Sequence, residues 1–141
     1  MQETNEIQSI VDIVKSCEDV ILATNRLDEF PEARTVMNAL NADATDLNLH
    51  FITNDDSPKM AQLRRNAKCC LYYFNADTRY AVRLLGEMRV IDNLDEKKKY
   101  WRDSFRDFGY SGADDANLTL LEFVPKSYKF YVGDEMKTGL V

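Results

Sequence analysis

The sequence is short of the residues that build metal centres and disulfide frameworks. Its 141 residues include one histidine, three cysteines, three prolines and five glycines. Cys69 and Cys70 are neighbours, so on a strand they point to opposite faces and cannot form an ordinary metal pair. With no pair of cysteines at metal-binding spacing, the sequence predicts no metal site. The odd number of cysteines favours reduced thiols, and we expect a cytoplasmic protein without disulfides.

The sequence also lacks an excess of positive charge and any long apolar run. Eighteen Lys and Arg stand against 24 Asp and Glu, for a net charge of -6. A protein that binds nucleic acid usually has a basic face, and the one basic run, Lys97 to Lys99, lies among acidic residues. No apolar run approaches the roughly 20 residues that span a bilayer. No basic stretch leading into an apolar segment follows Met1, as a signal peptide would require. We expect neither a nucleic-acid partner nor a membrane.

What the sequence does contain is a series of short β-type segments with few helices between them. Its length and its hydrophobic share of 45% predict a single domain, residues 1–141, with a buried core. Helical spacing predicts an amphipathic helix from Ile7 to Val14 and a second helix over 94–108, which ends at Gly109. Period-two patterns and apolar runs predict strands over 20–24, 33–39, 47–53, 68–75, 80–91, 118–124 and 127–132, the last two separated by Pro125.

The spacing of these segments predicts a mainly β fold class. A doubly wound sheet needs a helix after nearly every strand, and this sequence has too few. Gly86, in the middle of the long fifth strand, predicts a bulge or a sharp bend, as found where a sheet curls into a barrel. We therefore expect an antiparallel β-barrel with flanking helices.

The turn before the short helix that follows the third strand combines groups that suit a phosphate. Ser57 and Pro58 are typical of a helix start, with a hydroxyl to cap the first amides and a proline at the first helical position. Thr53, Ser57 and Lys59 are then expected to converge with the free amides at the positive end of the helix dipole. The alternative is an ordinary capped helix whose lysine is solvated.

Arg34 is the second candidate for binding an anion. An arginine in a short strand that otherwise faces a core needs a partner, because an unpaired buried charge is costly. In a meander this strand lies beside 49–53, where the guanidinium fork would bind a phosphate in bidentate fashion. The alternative is an edge-strand arginine that points to water.

Five segments follow one another in an order that resembles a known family. They are Ala-Arg-Thr-Val-Met (33–37), Leu-His-Phe-Ile-Thr-Asn-Asp-Asp-Ser-Pro-Lys (49–59), Tyr-Ala-Val-Arg-Leu-Leu-Gly-Glu-Met-Arg-Val (80–90), Gly-Tyr-Ser-Gly-Ala-Asp-Asp (109–115) and Leu-Leu-Glu-Phe-Val-Pro (120–125). Together they resemble the FMN-binding split-barrel family related to pyridoxamine 5'-phosphate oxidase, in particular its bacterial general stress protein branch. The resemblance implies a six- or seven-stranded antiparallel split barrel and a homodimer with FMN at the subunit interface.

The resemblance also implies which residues bind the cofactor. Arg34, Ser57 and Lys59 would hold the FMN phosphate. Tyr131 stands where related proteins place an aromatic residue close to the flavin, the alternative being an ordinary strand tyrosine. The isoalloxazine and ribityl chain would be lined by Thr35, Val36, Met37, Ile52 and Thr53.

Two departures from the family pattern restrict the function that the resemblance implies. Ala81 stands where oxidases of the family carry a glutamine that reaches the partner's flavin, and no arginine-rich segment precedes Val141. Oxidation of pyridoxamine phosphate is therefore not expected. We expect an FMN-binding flavoprotein, as a stress-related oxidoreductase acting on a small molecule or, alternatively, as a protein that sequesters flavin without turnover. Deazaflavin or haem remains an alternative ligand. No catalytic residue is predicted, and His50 is interpreted as structural.

Overall fold

The computed structural model describes residues 2–141, with side chains from Asn5 onward, and contains one antiparallel sheet with helices around it. In chain order the elements are α1 (Gln2–Ser16), β1 (Asp19–Asn25), β2 (Pro31–Met37), a short 3₁₀ helix (Ala39–Asn41), β3 (Leu49–Asn54), α2 (Pro58–Arg65), β4 (Lys68–Phe74), β5 (Ala81–Ile91), α3 (Leu94–Tyr100), a second 3₁₀ helix (Asp103–Phe108), β6 (Leu118–Val132) and β7 (Glu135–Leu140).

The seven strands form a sheet that does not close on itself. Their order is β2-β1-β4-β5-β6-β3, and β7 also pairs with β6. Every pairing is antiparallel. Within residues 2–141 no ladder joins β2 to β3, the two strands at the ends of this path. The predicted class, a mainly β antiparallel split barrel with flanking helices, is confirmed.

A bulge lies where the two longest strands, β5 and β6, cross the middle of the sheet. Gly86 pairs with Pro125, whereas Leu85 pairs with Ser127, so the register shifts by one residue between them. A proline is tolerated there because a bulge leaves one residue outside the ladder. A Cβ atom on Gly86 would lie 2.6 Å from the ring of Phe123 and closer still to a backbone carbonyl. The bulge predicted at Gly86 is confirmed, but the predicted break at Pro125 is wrong.

The last strand of the structure, β7, was not predicted. It forms a hairpin with the end of β6, from Val132 opposite Glu135 to Ser127 opposite Leu140. Five of its six residues are exposed. A strand without a buried face carries no apolar alternation, so the period-two pattern that identifies other strands is missing.

The core lies against one face of the sheet and is covered by α1. Ile10, Val11 and Val14 on this helix are at most 1% exposed, which confirms the predicted amphipathic helix. They pack in one cluster with side chains from every strand except β7, among them Leu22, Val36, Leu49, Leu71, Leu84 and Phe123.

The predicted helix over 94–108 is divided into two. α3 ends at Tyr100, and Trp101 is extended, with ψ 140°. The indole N–H of Trp101 donates to Asp103 at 3.1 Å, and its ring packs edge-on against Phe105 at 5.7 Å. The break lets Trp101 pack against a second, smaller buried cluster, which includes Phe105. Gly109, with φ +96°, ends the segment as predicted.

The described residues contain few reactive groups. Cys69 is buried and Cys70 is half-buried on the opposite face of β4, as predicted, and both are free thiols. Between residues 2 and 141, no three metal-binding side chains come together. In the same range, no helix has the length and hydropathy needed to cross a bilayer.

Candidate functional site

The helix α2 is held against β1 and β2 by a network of polar side chains. Gln62 on α2 accepts a hydrogen bond from the Thr24 hydroxyl at 2.5 Å and another from Arg34 at 3.3 Å. Arg34 also donates to Thr24 Oγ1 at 2.8 Å and to the carbonyl of Leu22 at 3.1 Å. Thr24 and Gln62 are buried, so these bonds fix the helix relative to the two strands.

Arg34 lies on the inner side of β2 rather than in water. It pairs across the sheet with Leu22, which is buried, and its own side chain is 22% exposed. Its Nη2 atom also lies 3.3 Å from Oε1 of Glu32. The solvated alternative therefore does not describe this arginine. The partners that this partly buried charge needs are neutral groups and one carboxylate of the chain itself.

Lys59, in the first turn of α2, is electrostatically coupled to Arg34. Burial lowers the pKa of the Lys59 ammonium below its ordinary value of 10.5, and the positive charge of Arg34 lowers it further. Two like charges in a half-buried place are unfavourable unless an anion offsets them. The structure thus brings together Arg34 and Lys59, the two cations expected at a phosphate.

Ser57 occupies the cap position of α2, but its hydroxyl does not cap the helix. The backbone is extended there, with φ -72° and ψ 151°, and Pro58 follows as the first helical residue. The side chain makes no cap hydrogen bond, so the predicted capping is wrong. Its Oγ atom is buried without a hydrogen-bond partner among the described residues. An unsatisfied buried hydroxyl costs about 1–3 kcal/mol, and a ligand oxygen would remove that cost.

A cleft of about 360 Å³ brings residues of β2 and β3 together. Three predicted residues line it, Met37, Ile52 and Thr53. Three more were missed by sequence reasoning, namely Asn54, Phe108 and Tyr110. The Tyr110 hydroxyl donates to Oδ1 of Asn54, and burial raises the pKa of Tyr110. In the sequence, the one signal that points to Tyr110 is the resemblance of the segment 109–115 to the family.

The other predicted residues face elsewhere in the single chain. Val36 packs against the core, so its side chain does not point at the cleft. Thr35 pairs with Ile21, and Tyr131 pairs with Ala81, which places both on the face of the sheet opposite the core. Tyr131 does not line the cleft.

This second face of the sheet, called here the outer face, is exposed and apolar. Cross-strand pairs place its side chains together, for example Ile21 with Tyr72 and Tyr131 with Met136. Arg83, which pairs with Tyr72, has a buried Nε atom without a partner within residues 2–141. The large exposed side chains of the outer face are Ile21, Met37, Tyr72, Phe74, Leu85, Tyr131, Met136 and Leu140.

His50 lies outside the cleft and has partners. Its ring stacks on Tyr100 at 4.2 Å, and Nε2 lies 3.4 Å from Oε2 of Glu122. Burial lowers the pKa of His50, although Glu122 opposes the shift. These contacts agree with the structural interpretation of this histidine.

The sequence and the fold match known proteins over almost their whole length. The family model for pyridoxamine 5'-phosphate oxidase-like proteins matches residues 5–140. A Clostridium acetobutylicum protein related to general stress protein 26 of B. subtilis has a similar structure, with a TM-score of 0.80 at 23% identity, over 99% of this chain and 93% of that one. General stress protein 26 from Bacillus anthracis strain Sterne gives 0.74 at 18% identity, over 97% and 98%.

A third structural neighbour is named for its ligand. It is a pyridoxamine 5'-phosphate oxidase-related, FMN binding protein from Nostoc punctiforme, with a TM-score of 0.65 at 16% identity, over 99% of this chain and 93% of that one. No curated protein sequence matches the chain. At these identities the neighbours establish the fold, and the family model, which spans nearly the whole chain, establishes the family. The chain belongs to the pyridoxamine 5'-phosphate oxidase-like family.

Proposed function

We propose that this chain binds FMN and places its phosphate at the amino end of α2. The observation that carries the proposal is the buried Ser57 hydroxyl, which has no hydrogen-bond partner among the described residues. Ser57 stands two residues before Lys59, the cation in the first turn of α2. A phosphate there would accept from this hydroxyl and from the backbone N–H of Lys59, because Pro58 has no N–H and that of Met60 donates to the Ser57 carbonyl. It would also offset the charges of Lys59 and Arg34. The residues present thus fit the phosphate of a flavin mononucleotide.

The flavin ring system would lie in the cleft lined by Met37 and Ile52. Its apolar side chains suit a flat aromatic ring, and Thr53 and Asn54 add polar groups at the edge. Bound FMN would supply the redox chemistry. The role of this chain's residues would be to hold the phosphate, orient the ring and exclude water from one side of it.

We propose that two copies of the chain pair through the outer face. Soluble monomers rarely expose this many large apolar side chains on one face, and a second copy would also offer acceptors to the buried Nε of Arg83. Tyr131 lies on this face, so its proposed contact with flavin depends on the pairing. Analytical ultracentrifugation tests the proposal with the variant Leu85→Lys, on the outer face, and Leu27→Lys as the matched control. We expect a dimer for wild type and Leu27→Lys and a monomer for Leu85→Lys; a monomeric wild type contradicts the proposal.

For activity, we propose electron transfer between a reduced nicotinamide nucleotide and a small acceptor. The single observation that favours sequestration without turnover is the lining of the cleft. Among the described residues that line it, the one titratable side chain is Tyr110, and the raised pKa of that phenol makes it a poor proton donor near neutral pH.

An absorbance spectrum of the purified protein, followed by anaerobic addition of NADH or NADPH, separates these functions. A flavin spectrum that bleaches with the nucleotide and returns with an acceptor supports oxidoreduction. A flavin that stays oxidised supports sequestration, and a deazaflavin or haem spectrum contradicts FMN as the cofactor.

A further inference from the structure

Glu32 is an acidic residue placed where a phosphate site would ordinarily have none. Its Oε1 atom lies 3.3 Å from Nη2 of Arg34 and accepts a hydrogen bond from Gln62 at 3.4 Å, while its Oε2 atom lies 3.6 Å from Arg26. We propose that Glu32 determines the selectivity of the site by competing with a ligand phosphate for Arg34, an inference that rests on the proposed function.

The competition follows from how the Arg34 guanidinium is used. Nη1 donates to the Leu22 carbonyl and to Thr24, and Nη2 donates to Glu32 and Gln62. Both terminal nitrogens are therefore engaged within the chain. A phosphate that takes a donor from Nη2 must displace the Glu32 carboxylate or bind beside it, and two anions side by side repel each other.

In this arrangement Glu32 would weaken phosphate binding without preventing it. Its side chain is 38% exposed, so it can turn toward water, and the solvent screens its charge in part. Thr24 and Gln62 are neutral and buried, and they hold Arg34 in place when Glu32 turns away. Arg26 is exposed and offsets the Glu32 charge only in part, so with Glu32 charged the cations Arg34 and Lys59 do not offset a dianionic phosphomonoester in full. Without that charge, they offset all of it.

The consequence is a loss of binding affinity that applies to phosphorylated ligands alone. Riboflavin has the ring and ribityl chain of FMN but no phosphate, so its affinity should not depend on Glu32. The affinity for FMN should rise when the carboxylate of Glu32 is replaced by an amide of the same shape.

The test is a fluorescence titration of the wild-type protein, Glu32→Gln and Glu29→Gln with FMN and with riboflavin. Glu29 is exposed and lies in the turn just before Glu32, so its variant reproduces the change in net charge without touching Arg34. We expect Glu32→Gln to bind FMN about three- to tenfold more tightly at low salt, with a smaller gain at high salt. We expect riboflavin binding to be the same in all three proteins, and FMN binding to be the same in wild type and Glu29→Gln.

Two results overturn the inference while leaving FMN binding intact. One is an FMN affinity that is unchanged or weaker in Glu32→Gln, which would make Glu32 a support for Arg34. The other is an equal gain for FMN and riboflavin, which would place the effect away from the phosphate. If none of the three proteins binds FMN, the proposed function itself fails, and the inference fails with it.

Discussion

Replacing Ser57 with alanine should change stability and ligand affinity in opposite directions. A serine that caps a helix costs about 0.5–2 kcal/mol of stability when it becomes alanine. The Ser57 hydroxyl makes no cap bond and is buried without a partner within residues 2–141. Removing it should therefore leave the ligand-free protein as stable as before, or more stable by up to about 1 kcal/mol, because the cost of the unsatisfied hydroxyl disappears while the small cavity left behind offsets part of that gain.

The same substitution should weaken FMN binding. A hydrogen bond to a charged group contributes about 1.5–3 kcal/mol, which corresponds to roughly a 10- to 100-fold loss of affinity. Urea denaturation without ligand measures the first effect, and a fluorescence titration with FMN measures the second.

Ser16 provides the matched control for the stability measurement. Its hydroxyl donates to the Ile13 carbonyl at 2.7 Å and accepts from Asn75 at 3.0 Å, so Ser16→Ala should destabilise the protein by about 0.5–1.5 kcal/mol. If Ser57→Ala instead destabilises the ligand-free protein as much as Ser16→Ala does, the hydroxyl has a partner in solution. The argument that it is reserved for a ligand would then be refuted.

Three further predictions concern the bulge, the buried thiol and the lysine. Gly86→Ala should lower the free energy of unfolding in urea by about 1–3 kcal/mol, because the new Cβ meets a backbone carbonyl and a buried ring. As a control, the Cβ of Gly112→Ala would meet only a carboxylate oxygen at 3.1 Å, and this variant should change the free energy of unfolding by less than about 0.5 kcal/mol. Burial raises the pKa of Cys69 to about 12, so mass spectrometry should find it unmodified by iodoacetamide in the folded protein and modified in urea. Folding lowers the pKa of Lys59, so between that lowered pKa and pH 10.5 the unfolded chain binds more protons than the folded one. The contribution of Lys59 to the free energy of unfolding therefore rises with pH over this range. Urea denaturation across this range should show the rise in wild type and a smaller one in Lys59→Gln.

The parts of the fold that could be predicted are those with a strong local pattern. The apolar spacing of α1 follows directly from its burial against the core, and Ser57-Pro58 marks the true start of α2. Gly86 marked the bulge because a side chain at that position has no room. Where tertiary contacts decide the local conformation, the pattern failed: Trp101 breaks a helix to reach a buried cluster, and Pro125 sits inside a strand because a bulge accommodates it.

The candidate site also has parts that the sequence could predict and parts that depend on tertiary packing. The charges and hydroxyls near α2 were recognisable because one short segment and one arginine carry them. The orientation of the Ser57 hydroxyl and the bonds from Arg34 to Glu32 depend on packing between α2 and two strands, which no local pattern specifies. Phe108 and Tyr110 reach the cleft from a segment more than fifty residues from β3, so spacing in the sequence could not place them there.

The most direct test of the central claim is a titration of the purified protein with FMN, followed by flavin fluorescence. It compares wild type with the double variant Arg34→Ala and Lys59→Ala, and with Lys98→Ala and Arg102→Ala, two exposed residues outside α2, as a control of equal charge change. Wild type and the control should bind FMN tightly, and the Arg34 and Lys59 double variant should lose binding. Equal FMN affinity in all three proteins, or no binding by wild type, would contradict a phosphate site at the amino end of α2.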